Sequence, residues 1–394
     1  MLDWLSLLRH TLIGLLLMVL SACGDPATSF SEILEKGVKD GLPGISMYVR
    51  MGEKTWTGAA GLADITAGKE MSSDDRFLAV GSTQPWIATT ILQLVDEGSI
   101  ALDDSLTSII GLQPLYKVPG AQSITIRQAL MQTTGFHNHY GFLGFLNDVI
   151  GPDIDPNRVR ESSTPLTFFN LRGYRPLSSP GEQANFSASN ATILGMIIEA
   201  VEDRPLNDVL YERIFKSVDI NTGITAFGGP EPTVHNYIDL RKALVDIGQA
   251  AIPVEGRDKL FDISNINNSW AWAAGGMVVN AEELAALLDG LIKGQILDDQ
   301  IVAAMIDTTV AQKNPDDENG PAFGLGLMHR GMKPSVHAYG HDGEALGYAS
   351  LVYHIPTFDL TIAILSNGSG HELKLFNIFQ QVFSLVDVSG QTLF

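Results

Sequence analysis

Ser82 is the residue whose setting most suggests chemistry. It lies in AVGSTQPWIATTILQLVDEGSIALDD (residues 79–104), where a small-residue turn leads through a serine into an amphipathic helix. A hydroxyl presented this way becomes a nucleophile when a neighbouring base takes its proton, and a residue three positions on shares its helix face. That position holds Pro85, not a lysine. Proline is tolerated in a first helical turn, whose N–H groups have no intrahelical acceptors. The helix therefore survives while its base is gone, and Ser82 reads equally well as a helix cap.

Other reactive side chains are scattered. His137 and His139 in GFHNHY follow a short helix and could bind a metal or stand in as a base. No third ligand follows at a convincing spacing, so neither a metal nor any other cofactor is expected. Asp153 and Asp155 in GPDIDPN read as a solvated turn, since EF-hand spacing is lacking. Trp86 and Phe186 read as wall residues. There is no phosphate-binding glycine loop and no G-x-S-x-G elbow.

The elements that must position these groups follow from periodicity. ISMYVRM (45–51) alternates as a strand, with TWTGAAGLAD as its hairpin partner. Helical spacing runs over 85–97, 125–132, 190–202, 205–215, 281–294 and 298–306. Strands return at 322–330, 348–355 and 359–367, and a last amphipathic helix spans 372–385. Strands at both ends with helices between predict one α+β domain whose antiparallel sheet joins the N- and C-terminal segments. Residues 218–268, rich in Gly, Pro and Asn, resist assignment.

Composition sets the outer limits. Of 394 residues, 45% are hydrophobic and 18% charged, which describes a core-forming chain. The net charge of −20 opposes nucleic-acid phosphates, so no nucleic-acid partner is expected. Arg9, the apolar run 11–20 and Ser21-Ala22 fit a secretory leader, and the run is short for a permanent membrane span. Leu20-Ser21-Ala22-Cys23 resembles the lipobox of bacterial lipoproteins, with the single cysteine where lipidation requires it. The expected organisation is a signal peptide at 1–22, lipidated Cys23 and a tether over 23–40, and a domain over 41–394. The expected location is the bacterial cell envelope, tethered to a membrane by lipid. Gly24 replaces the aspartate of inner-membrane retention, which favours the outer membrane, facing the periplasm.

The order of segments resembles the serine β-lactamase and penicillin-binding superfamily, nearest its class C enzymes and related esterases and D-peptidases. The blocks that carry this are GLADITAGKEMSSDDRFLAVGS, ITIRQALMQTTGF, PGEQANFSASNATILGMIIEAV, AAGGMVVNAEELAALL and YGHDGEALGYASLVYH. The resemblance implies a β-lactamase/transpeptidase-like fold, with a mostly helical subdomain beside the sheet. It also implies three motifs. In S-x-x-K, Ser82 is present and Pro85 replaces the lysine. In Y-x-N, Phe186 and Ala188 replace the phenol and the amide. In K/H-x-G, on an edge strand, His341-Asp342-Gly343 is intact. There His341 would be a positive or hydrogen-bonding group, and Gly343 would let substrate approach the strand. The backbone N–H groups of Ser82 and Glu344 would form an oxyanion hole.

A general base contributes about 10²–10⁴ in rate, and losses within one catalytic unit reach roughly 10⁶. Three replaced side chains therefore predict impaired acyl transfer. The leading expectation is an envelope lipoprotein that keeps its cleft for a peptide-like or cell-wall-derived ligand. One alternative is a working esterase, amidase or D-peptidase acylated at Ser82, with His341 or a histidine of the 137–139 loop as substituted base. The other is a scaffold whose cleft does nothing.

Overall fold

The computed structural model describes residues 26–394 except 152, 171–173, 240–259, 308, 310, 316, 318–319, 370–371 and 390–394. The signal peptide expected at 1–22 and Cys23 lie outside the described residues.

The first element corrects the expected tether. Helix α1 spans Pro26–Lys39, and its Phe30 and Leu34, one turn apart, are buried. Phe30 meets the Trp56 ring at a centroid distance of 5.3 Å. Apolar residues at 30, 33, 34 and 38 give a helical stripe, and a proline at the first position is a helix-start signal. The small polar residues of 24–31 masked that pattern.

Strands β1 (Gly44–Met51) and β2 (Lys54–Asp64) form the predicted hairpin, followed by helix α2 (Gln84–Asp96). Helix α3 (Ala188–Glu202) and helix α4 (Ala281–Ile292) follow. The C-terminal part is β3 (Met328–Lys333), β4 (Val336–Ala345), β5 (Tyr348–Ile355), β6 (Leu360–Ser366) and α5 (Glu372–Ser389). The strand expected over 322–330 is two pieces, Ala322–Phe323 and β3, broken at Gly324 and Gly326. Within 218–268, Tyr237–Ile238 and Phe261–Asp262 join Gly368–Ser369 in a small separate sheet.

The main sheet has nine strands in the order Lys69–Glu70, β2, β1, β6, β5, β4, β3, Ala322–Phe323, Gln312–Lys313. β1 pairs antiparallel with β6, Ile45 opposite Ser366, so the two ends of the chain share one sheet as expected. Helices cover both faces. α4 lies on the inner face and α1 and α5 on the outer. β5 and β6 are accordingly buried at every residue, so they read as continuous apolar runs without alternation. On α5, Leu375, Ile378, Phe379, Val382, Phe383 and Val386 form the stripe that meets the sheet.

β4 carries His341 and Gly343 inside the sheet and not at its margin. Its pairing with β3 ends at Gly340, opposite Met328. From His341 onward the described pairing is with β5 alone, Gly343 opposite Ser350. The motif half of the strand is thus a local edge, and the turn bearing Ser82 packs there.

Candidate active site

Residues Val80–Thr83 form a 3₁₀ turn that leads into α2, with Pro85 in the first helical turn as expected. Val80 has φ +37°, an uncommon conformation for a β-branched residue and a mark of local strain. Thr83 occupies the N-cap position and makes no side-chain cap bond. The capping role considered for Ser82 is therefore not filled, by Ser82 or by Thr83.

Ser82 is fully buried. Its Oγ lies 2.8 Å from Ser350 Oγ and 3.2 Å from the His341 carbonyl oxygen. Ser350 donates its own proton to the Ala79 carbonyl at 2.5 Å, which leaves Ser350 Oγ to accept from Ser82. Among the described residues, no amine, imidazole or carboxylate is bonded to the Ser82 hydroxyl. Its backbone N–H donates to Ala79 O at 2.9 Å. The oxyanion donor expected from Ser82 is thus already engaged within its own turn.

This turn and β4 meet backbone to backbone. A Cβ on Gly343 would stand 2.5 Å from both the Cα and the N of Gly81. A Cβ on Gly81 would stand 2.8 Å from the Cα of Gly343. Glycine at both positions permits this approach. Gly343 thus admits the serine turn and is itself partly exposed.

His341 is 2% exposed, and burial pushes its pKa down to about 4. At neutral pH it is uncharged, which leaves the hydrogen-bonding one of the two roles expected there. Its Nδ1 lies 2.7 Å from the Asp342 carbonyl. Asp342 turns to the outer face, where its carboxylate accepts from Arg330 and Tyr353, both at 2.7 Å. Arg330 in turn stacks over the Phe376 ring of α5, 4.4 Å from its centroid. Glu344 stands opposite Ala349 on β5 and is half-buried.

Of the second-motif positions, one reaches the same place. The half-buried Phe186 ring lies 6.0 Å from His341 and 6.3 Å from Phe323. Ser187 caps α3 by accepting from the Ser189 N–H, which makes Ala188 the first helical residue. Ala188 is buried with Ala191 and Ala274 beside the Tyr140 ring. Ser82 and Phe186 therefore both meet His341, while Ala188 packs apart from it in the small cluster with Ala274 and Tyr140. Pro85 stands at the α2 start, beside the Gln84 that faces His341.

Sequence reasoning missed what actually holds this region. Gln132 Oε1 accepts from the Ser187 N–H at 2.9 Å and from Asn190 Nδ2 at 2.7 Å, and Thr134 donates to Asn190 Oδ1 at 2.8 Å. Gln132 Nε2 reaches Gln84 Oε1 at 3.3 Å. Gln84, two residues after Ser82, was the one available signal. Ser350, opposite Gly343, left none.

The two histidines do not share a site. His137 Nε2 donates to Arg175 O at 2.9 Å, whereas His139 Nδ1 lies 3.0 Å from Ser189 Oγ and is fully buried. Burial alone pushes His139 down to about 3. Neither ring is bonded to Ser82. Asp155 accepts from the Asn157 N–H at 3.0 Å in an exposed turn, and no group of described residues has the make-up of a metal site. Trp86 is a fully buried core residue and not a cleft wall.

Comparison with known proteins agrees with the arrangement of these elements. The family model described as beta-lactamase matches residues 30–381. Esterase EstB of Burkholderia gladioli is 29% identical over 173 residues, 41% of each chain, so that match spans less than half of the esterase. Penicillin-binding protein 4 of Amycolatopsis lactamdurans is 21% identical over 349 residues, 86% of this chain and 85% of that one. Among solved structures, a D-stereospecific amidohydrolase from Streptomyces sp. superposes with a TM-score of 0.73 at 27% identity, covering 92% of this chain and 99% of that one. The D-amino acid amidase of Ochrobactrum anthropi SV3, complexed with D-phenylalanine, shares the fold at a TM-score of 0.76 and 24% identity, covering 93% and 100%.

Proposed function

The chain belongs to the β-lactamase family, and from that premise we propose that it is a member that forms no acyl-enzyme. We read it as a lipoprotein of the bacterial envelope, anchored through Cys23, that acts by binding and not by turnover. One observation carries this reading. The partners of the Ser82 hydroxyl are another hydroxyl and a carbonyl oxygen, neither of which removes a proton at neutral pH. Position 85 supplies none either.

The cleft also argues against a held ligand. Among the described residues, the cavity beside Gln84 and His341 measures about 20 Å³, whereas small-molecule sites run to roughly 300–1,000 Å³. The outer surface is therefore the working part, and the role is that of a scaffold held at the envelope membrane.

Turnover tests the first half of the reading. Residues 24–394 are offered short-chain esters and D-amino acid amides, the chemistry named by the relatives, beside the Ser82→Ala variant. The two proteins should be indistinguishable. Hydrolysis that depends on Ser82 would establish the alternative, a working serine hydrolase with a substituted base. Anchoring is read separately, from the mass of the mature N-terminal peptide. A diacylglyceryl group on Cys23 supports it, and an unmodified or uncleaved leader removes it.

A further inference from the structure

The amide chain beside Ser82 has a fixed direction. A backbone N–H can only donate, so the Gln132 atom that Ser187 N–H meets at 2.9 Å is the amide oxygen. The other Gln132 atom is then the NH₂ group, and it donates to Gln84 Oε1 at 3.3 Å. Gln84 must turn its own Nε2 the opposite way. That Nε2 is buried and has no hydrogen-bond partner among the described residues, and the whole side chain is 5% exposed.

The cavity of about 20 Å³ lies there, bounded by Gln84, Ala88, Leu130, Leu194, Phe323 and His341. His341 Nδ1 faces the Asp342 carbonyl at 2.7 Å. A carbonyl oxygen only accepts, so Nδ1 carries the ring proton and Nε2 offers a lone pair. The cavity wall thus presents the unpartnered Gln84 donor, the Gln132 amide that is already bonded to Gln84, and the acceptor-bearing ring of His341, on an otherwise apolar lining.

We propose that this cavity is a binding site for a single water molecule, which accepts from Gln84 Nε2 and donates to His341 Nε2. The volume suits one water, which needs at least roughly 10–15 Å³. The chemistry excludes the other small guests. An ammonium ion has no lone pair for Gln84, and a halide has no proton for His341. With water in place, hydrogen bonds run without a break from Thr134 through Asn190, Gln132, Gln84 and His341 to the Asp342 carbonyl. That path ties α3, α2 and β4 together without a single charged group. It stands whether or not the protein turns over a substrate.

A high-resolution crystal structure of the wild-type protein decides the matter. It should show one ordered peak within about 3 Å of both Gln84 Nε2 and His341 Nε2. An empty cavity, or a Gln84 amide turned onto a protein acceptor, overturns the proposal. Nitrogen NMR of the His341 ring gives a second reading at neutral pH. The proton should sit on Nδ1, and Nε2 should carry the shift of a hydrogen-bonded lone pair. In a folded Gln84→Leu variant the peak should vanish and the Nε2 signal should move to that of a free lone pair. A proton on Nε2 in the wild type, or an unmoved signal in the variant, contradicts it. The wild-type results suffice if the variant does not fold.

Discussion

Gly343→Ala probes the contact between β4 and the serine turn. The added Cβ would stand 2.5 Å from Gly81 N and Cα, against an ordinary contact of 3.4–4 Å. The shortfall is about 1 Å, and both opposing atoms are backbone, so no flexible side chain can yield. The turn is held in addition by Ser82 to Ser350 Oγ at 2.8 Å and by Ser350 to Ala79 O at 2.5 Å. Overpacking of this kind costs about 1–3 kcal/mol. Alanine restricts the unfolded chain more than glycine and returns about 0.4–1 kcal/mol. A net loss of about 1–1.5 kcal/mol is expected. An unfolding entropy of roughly 2.1 cal/mol/K per residue makes that a fall of about 1–2 °C in Tm for a chain of this size. Chemical denaturation and thermal melts measure it, with Gly331→Ala as control. Gly331 is on β3, and a Cβ there meets nothing within 4 Å. If the two variants agree within about 0.5 kcal/mol, then β4 does not press on the serine turn, and the backbone contact described here is wrong.

Three further outcomes are expected. Pro85→Lys alone should bring no measurable ester or amide turnover, because Phe186 and Ala188 remain and Ser82 stays buried; substantial activity from that one change would show that the other losses were overcounted. Stability should fall as pH drops from about 6.5 towards 4, because the unfolded chain binds a proton at His341 near its ordinary pKa while the fold refuses it until about 4. That difference corresponds to about 3 kcal/mol; buried His139, held down to about 3, adds its own share of the decline, so His341→Gln should lessen the decline in urea melts between pH 7 and pH 4.5 without abolishing it, and an equal decline in both proteins counts against a buried neutral His341. At Asp289, burial alone would raise the pKa, but hydrogen bonds from His354, Arg50 and Thr361 hold it down to about 2. Asp289→Asn should lose about 3–5 kcal/mol at neutral pH by stranding the buried Arg50, and a loss under 1 kcal/mol would mean that Asp359, 2.9 Å from Arg50, suffices as its partner.

Much of the frame was legible because it rests on local periodicity. The hairpin at 44–64, the strands 348–355 and 360–366 and the last helix all lie within a few residues of where spacing puts them. Helix α1 was missed because glycine, proline and serine at 24–31 carry a linker composition while Phe30, Ile33 and Leu34 carry the helix. Motif order brought Ser82, Phe186 and His341 to one region. It could not reveal that Gly343 receives Gly81, because that use and the approach of a ligand both demand a residue without a side chain. Nor could it find Ser350 or Gln132, since a single hydroxyl or amide carries no spacing signal. Sequence left the charge of His341 open for a related reason: it names the imidazole, but burial sets its proton.

The most direct test of the account is adduct formation at Ser82. Residues 24–394 are incubated with a fluorophosphonate and, separately, with a fluorescent penicillin, and intact mass is compared with that of Ser82→Ala. The account predicts no added mass on either protein beyond background. A stoichiometric adduct on the wild type that disappears in Ser82→Ala would show that something draws the proton from that hydroxyl, and would contradict it.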